Sequence, residues 1–177
     1  MIDGFNYILP NTCLEVNGST KRICLRAKNV ANMLKQYINK NYPDFSCWAT
    51  SDEYSGGSSV RVYVSLKDGQ SIPPSIKYKL DEIGNKFSAG TFDGMTDSYN
   101  YNSDTVSDFG TLVTFYPKYV FIENKPRYGT IEYYMIRAEK NKSSFKEALN
   151  LDNFISDVQK ETLLKKFLKT KNNGKFK

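Results

Sequence analysis

A chain of 177 residues with 40% hydrophobic, 25% charged and 14% aromatic residues has the balance of one globular domain with a surplus of aromatics, which excludes wholesale disorder. No run approaches the roughly 20 apolar residues that a membrane helix needs, and the first ten residues carry neither the basic nor the apolar stretch of an export signal. The formal charge of +6 is uneven: residues 1–139 hold 15 Lys or Arg against 15 Asp or Glu, while residues 140–177 hold 10 against 4, so a neutral body carries a basic tail.

After an irregular opening, Val30, Met33, Leu34, Tyr37 and Ile38 recur at the spacing of one helix face, which predicts a helix over residues 28–41 that ends at Tyr42-Pro43. Residues 45–50 then alternate, and Val60, Val62, Val64 and Leu66 alternate against Ser59, Arg61, Tyr63 and Ser65; these read as two half-buried strands joined by SDEYSGGS. Pro73-Pro74 opens a second helix, since proline tolerates a first turn, with Ile76, Leu80, Ile83 and Phe87 along one face. Residues 91–110 show little periodicity and read as a long polar loop. Residues 111–123 and 128–137 read as a second hairpin turning at NKPRYG. Ser144 and Glu147 have the capping-box spacing, and Phe154, Val158, Leu164, Phe167 and Leu168 form an apolar stripe on a helix running to about Thr170. The expected fold is a two-layer α+β domain, with an antiparallel sheet of about four strands and two to three helices on one face. Its core is expected over residues 1–139, with a basic helix and tail over residues 140–177 packed upon it.

Histidine is absent, which removes the commonest general base, the Ser-His and Cys-His nucleophile pairs and every imidazole zinc site. Three cysteines at positions 13, 24 and 47 form no CxxC pair; their odd number suits a reducing cytosol, and Cys24 and Cys47 fall on apolar faces. No catalytic residue, metal site or cofactor is expected. Ser55, Gly56, Gly57 and Ser58 offer backbone N–H groups suited to an anion, but lack the Gly-Lys-Ser/Thr ending of a phosphate loop and run into a strand; a tight turn is the competing reading.

The stretch TFDGMTDSYNYNSDTVSDFG carries Asp93, Asp97, Asp104 and Asp108 with Tyr99 and Tyr101 and no Lys or Arg. Such a segment suits contact with a basic surface on a partner, with Tyr54 from the glycine turn as a further anchor. Basic residues interleaved with aromatics, as at Arg61 and Tyr63 and again at Tyr119, Phe121, Tyr133 and Arg137, suit either nucleic-acid binding or ordinary cross-strand pairing. Lys165, Lys166, Lys169 and Lys171 offer a second route to nucleic acid through the basic tail.

Residues 30–123, fixed by FSCWATSDEYSGGSSVRVYVS, KDGQS and FDGMTDSYNY, resemble the large polyvalent protein associated domains of phage and conjugative-element proteins, in the form marked by YSGGSS and FDGMTDSY. Tyr54 to Ser59, Asp68, Gly69, Phe92 to Met95, Asp97 and Tyr99 carry the resemblance. It implies a mobile-element origin and action inside a bacterial cell, in a context where proteins protect incoming DNA or neutralise host defences. The resulting expectation is a non-enzymatic protein that blocks a host protein, a defence complex of the CRISPR or restriction type, without a membrane role. The alternatives are a nucleic-acid-binding accessory factor and a nucleotide or small-molecule binder at the Gly-Gly turn.

Overall fold

In a computed structural model, residues 13–17, 20–101, 106–108 and 111–172 are described, with side chains over residues 23–101 and 113–172. The elements in chain order are β1 (Cys13–Asn17), β2 (Thr20–Leu25), α1 (Ala27–Asn41), β3 (Phe45–Tyr54), β4 (Gly57–Leu66), α2 (Pro74–Asn85), β5 (Gly90–Asp93), β6 (Ser98–Tyr101), β7 (Val106–Asp108), β8 (Thr111–Phe115), β9 (Tyr119–Asn124), α3 (Ile131–Lys140), α4 (Phe145–Asn150) and α5 (Asp157–Asn172). The α+β class is as expected, and the sheet arrangement is not. Among the described residues there is a four-stranded sheet in the order β1-β2-β8-β7, a three-stranded sheet β3-β4-β9 and a two-stranded ribbon β5-β6. Two of the pairings, β2 with β8 and β4 with β9, are parallel.

The β3–β4 hairpin follows directly from its alternation. Cys47 opposes Val64, Ala49 opposes Val62 and Ser51 opposes Val60, which places Val60, Val62 and Val64 on one face at zero exposure. Parallel pairing with β9 continues that face through Val120 and Ile122. Val30, Leu34 and Ile38 of α1 and Leu80 and Ile83 of α2 pack on it, and Leu25, Val113 and Phe115 of the four-stranded sheet complete the same core. Burying each such side chain contributes about 1.5–3 kcal/mol. The opposite face presents Trp48, Thr50 and Asp52 from β3, Arg61 and Tyr63 from β4, and Tyr119, Phe121 and Glu123 from β9.

Residues 111–123 do not form one strand. Pro117, which has no N–H to donate to a ladder, divides β8 from β9, and the two pieces enter different sheets. Residues 128–137 are not a returning strand but hold the start of α3, whose N-cap Thr130 accepts a hydrogen bond from the Tyr133 N–H at 3.4 Å. Ile131, Tyr134, Met135 and Ala138 keep helical spacing, and Tyr134 and Ala138 are its buried positions. The capping box at Ser144 is present, but it starts the short α4; α5 begins after a break. Of the apolar stripe expected on α5, Leu164 and Phe167 pack against Tyr134, Phe145 and Leu149. Phe154, Val158 and Leu168 point to solvent instead. The segment read as a loop over residues 91–110 contains the β5–β6 ribbon and β7. Asp104 lies outside the described residues, as does the side chain of Asp108.

A buried polar hub joins the helices that follow the sheet. Asp152, 2% exposed, accepts hydrogen bonds from the hydroxyls of Tyr128 (2.8 Å) and Tyr134 (2.9 Å), from the Phe154 N–H (2.9 Å) and from Arg137 (3.2 Å). Burial alone would raise its pKa, but the Phe154 N–H, the two tyrosines and Arg137 together hold it below the usual carboxylate value.

Candidate functional site

The glycine turn and the aspartate-tyrosine segment, far apart in the chain, meet at Lys118. Tyr54 pairs with Gly57, so β3 and β4 are joined by the two residues Ser55 and Gly56, and Gly56 takes φ +91°, which favours glycine. Gly57 serves a different purpose. A Cβ there would stand 3.1 Å from the Lys118 Cδ, so the missing side chain makes the seat for the lysine stem. The Lys118 N–H donates to the Ser58 carbonyl at 2.8 Å and fixes the start of β9 beside the turn.

From the other side, the β5–β6 ribbon is held against the same residue. The Tyr99 hydroxyl donates to the Lys118 carbonyl at 2.5 Å, the Ser88 hydroxyl donates to that carbonyl at 3.0 Å, and the Lys118 ammonium stands 4.6 Å from the centre of the Tyr99 ring. Burial raises the Tyr99 phenol above its usual range against a smaller downward pull from Ser88, and the neighbouring Tyr119, Tyr101 and Tyr54 add to the rise. Tyr99 is therefore a neutral donor at physiological pH. Gly90 opposes Tyr101, and a Cβ at Gly90 would fall within 2.8 Å of the Tyr101 Cα and the Tyr99 ring, so the ribbon closes only around glycine.

The ribbon's tip is ordered by Asp93. Its carboxylate accepts the Met95 N–H at 2.9 Å and the Thr96 hydroxyl at 3.0 Å, and these bonds hold its pKa below the usual value, the Met95 N–H being the larger cause. Asp97 takes φ +50° to complete the turn. Around this frame stand Met95, 97% exposed, Tyr101, 68% exposed, and Phe92 and Tyr54, about half exposed. Tyr99 and Tyr54 thus meet beside the Ser55-Gly56-Gly57-Ser58 turn on one ridge, Tyr101 stands against Tyr99, and Asp93 and Asp97 lie on the tip of the ribbon. Phe92 and Met95, which the sequence marks only as carriers of the resemblance, belong to the same ribbon, and Lys118 carries no sequence signal of its role, being a lysine after a proline. Lys165, Lys166, Lys169 and Lys171 lie exposed on α5, away from this ridge, with Lys165 3.7 Å from Glu161.

The rings continue across the open sheet face. Tyr99 stands edge-on to Tyr101 (4.8 Å) and Tyr119 (5.7 Å), Tyr119 stacks on Phe121 (5.9 Å), and Arg61 lies over Phe121 (5.4 Å). Of the residues noted in the sequence for sheet-face recognition, Arg61, Tyr63, Tyr119 and Phe121 share this face, whereas Tyr133 and Arg137 belong to α3. Among the described residues, no group of three or more Cys, Asp or Glu stands close enough to hold a metal ion.

In this α+β domain the glycine turn and the β5–β6 ribbon thus meet at Lys118. The chain belongs to the family of large polyvalent protein associated domain 29, whose model matches residues 25–133 and so covers the β3–β4 hairpin, the β5–β6 ribbon and β9. Domains of this kind are associated with phage and mobile-element proteins. No curated protein and no solved structure matches the chain. No helix among the described residues is long and apolar enough to cross a membrane.

Proposed function

We propose that this protein is a non-enzymatic accessory factor of a phage or mobile element, acting in the bacterial cytoplasm by occupying and blocking the surface of a host protein. The expected target is a nucleic-acid-processing defence complex of the CRISPR or restriction type. The observation that carries the reading is the convergence of the glycine turn and the β5–β6 ribbon on Lys118, a hydrogen-bonded base beside which Tyr54, Phe92 and Tyr101 stay exposed, with Met95, Asp93 and Asp97 on the ribbon's tip. Exposed aromatics and methionine on a preorganised base are the ingredients of a protein-binding hot spot. The two carboxylates suit a basic, nucleic-acid-binding channel on the partner.

The test is an affinity capture from bacterial lysate with and without nuclease, followed by the same capture with Tyr101→Ala, Met95→Ser and the charge reversals Asp93→Lys and Asp97→Lys. A recurring, nuclease-resistant partner lost on these substitutions supports the reading. A partner retained by all of them, with folding intact, removes the ridge as the contact.

A further inference from the structure

Beyond the ridge, the open face of the β3-β4-β9 sheet has a composition of its own. Its inner side is filled by α1 and α2, but on the outer side Trp48, 40% exposed, and Phe121, 41% exposed, remain uncovered. The register sets these rings in successive cross-strand rows: Trp48 beside Tyr63 and Glu123, then Thr50 beside Arg61 and Phe121, then Asp52 beside Ser59 and Tyr119. Rows on one face of a sheet recur every second residue, roughly 6.6 Å apart.

Three of the four rings on this face, Trp48, Phe121 and Tyr119, have a cation against them. Lys35 and Arg127 approach the Trp48 ring at 5.2 and 5.7 Å, Arg61 lies over Phe121, and Lys118 lies 5.9 Å from the Tyr119 centre. The basic helix adds to one end, because Thr170 lines a groove of about 370 Å³ with Trp48, Lys35, Ser46 and Lys67, and Thr170 is flanked by the exposed Lys169 and Lys171. The acids nearby are Asp44, Asp52, Asp81, Glu123 and Glu132. Four of these five are engaged within the fold, Asp44 with Lys67 at 3.9 Å, Asp81 with Lys77, Glu123 with Lys125 at 3.1 Å and Glu132 with the Ser46 hydroxyl at 3.0 Å. Of the 15 basic groups in residues 1–139, Lys35, Arg61, Lys118 and Arg127 thus stand against the rings of this face.

We infer that this face is a stacking platform for single-stranded nucleic acid, which runs from Tyr119 across Phe121 toward Trp48. The bases stack on the rings, and Arg61, Lys118, Arg127 and Lys35 meet the phosphates. The chemistry selects this occupant. Exposed flat rings accept any base, interleaved cations neutralise the backbone, and an open sheet face leaves room for splayed bases but not for a duplex. A protein partner would find a desolvation cost at four cations with few acids to answer it. The platform adjoins the ridge at Lys118 and at the Tyr99–Tyr119 contact, but Arg61, Phe121 and Trp48 lie outside the ridge, so substitutions there test the platform alone.

Trp48 is the sole tryptophan, so its fluorescence reports directly on the face. Titration of the intact protein with oligothymidine and with oligouridine should quench that emission and raise the anisotropy of a labelled strand, whereas duplex DNA of the same length should bind much more weakly. Phe121→Ala should weaken binding about tenfold, while Phe121→Tyr, which keeps the ring, should preserve it. Arg61→Gln should lower the salt slope by about 0.7, the share of one phosphate contact on a single strand. Tyr101→Ala and Met95→Ser should leave all of this unchanged. The inference is overturned if neither strand quenches Trp48 at low salt, or if duplex binds as tightly as single strand. It is also overturned if Phe121→Ala binds normally while replacement of Lys165, Lys166, Lys169 and Lys171 by Gln abolishes binding, which would assign the contact to the tail, or if the face captures a protein and no oligonucleotide.

Discussion

Replacing Asp152 by Ala removes the acceptor on which α3 and the segment after α4 converge. Four donors lose their partner at once: the Tyr128 and Tyr134 hydroxyls, the Phe154 N–H and the Arg137 guanidinium. Tyr134 is fully buried and has no water to turn to, so its orphaned hydroxyl costs about 1–3 kcal/mol. Arg137 keeps 30% of its side chain exposed and recovers part of its solvation, which limits its share. The total expected is about 3–5 kcal/mol. In a chain of this size it lowers the Tm by roughly 10 °C. Urea unfolding followed by far-UV circular dichroism should show a lower midpoint with an unchanged slope. Because the folded carboxyl lies below its unfolded value of about 3.9, its contribution is fully present above that pH and is lost as pH falls through the folded pKa. The gap between wild type and variant should therefore be flat from about pH 5 to 8 and narrow below about pH 4. A loss under about 1 kcal/mol at neutral pH would refute the hub as a stabilising element.

Other expectations follow from single contacts. Gly90→Ala forces a Cβ into the Asn100 carbonyl and the Tyr101 backbone, and should cost about 1–3 kcal/mol and open the β5–β6 ribbon, seen as faster proteolysis at Phe92 and Tyr99. Thr130→Ala removes the N-cap of α3 and should lower stability by about 1 kcal/mol in the same urea assay, whereas Thr130→Ser should restore it. Burial pushes the Cys47 thiol up to about 12, so at pH 8 iodoacetamide should leave the Cys47 peptide unlabelled in the native protein and label it after denaturation, as read by mass spectrometry.

Local patterns were sufficient for α1, α2 and the β3–β4 hairpin, because in each the apolar period matches one buried face and the breakers Pro43, Gly56 and Pro73 stand at the ends. The same logic located YSGGSS as a turn, since Gly56 needs its positive φ whatever surrounds it. It failed at residues 128–137, where Tyr and Ile invite a strand reading while Thr130 and the Ile131, Tyr134, Ala138 spacing encode a helix. It also failed at Pro117, which lies inside an apparent strand and in fact divides β8 and β9 between separate sheets. That Asp93, Asp97, Tyr99 and Tyr101 belong to one structural unit, the β5–β6 ribbon and its turn, was legible from their crowding in one polar segment. That they stand beside Tyr54 and Gly57 was not, because the meeting point is Lys118, some twenty residues further on, and it is placed by a parallel pairing of β9 with β4. Sequence by itself decided which faces are apolar, where the chain must turn and that no histidine chemistry is available. Tertiary structure alone decided which turns meet and which aromatic rows stay uncovered, since parallel partners and shared faces depend on long-range packing that no local period encodes.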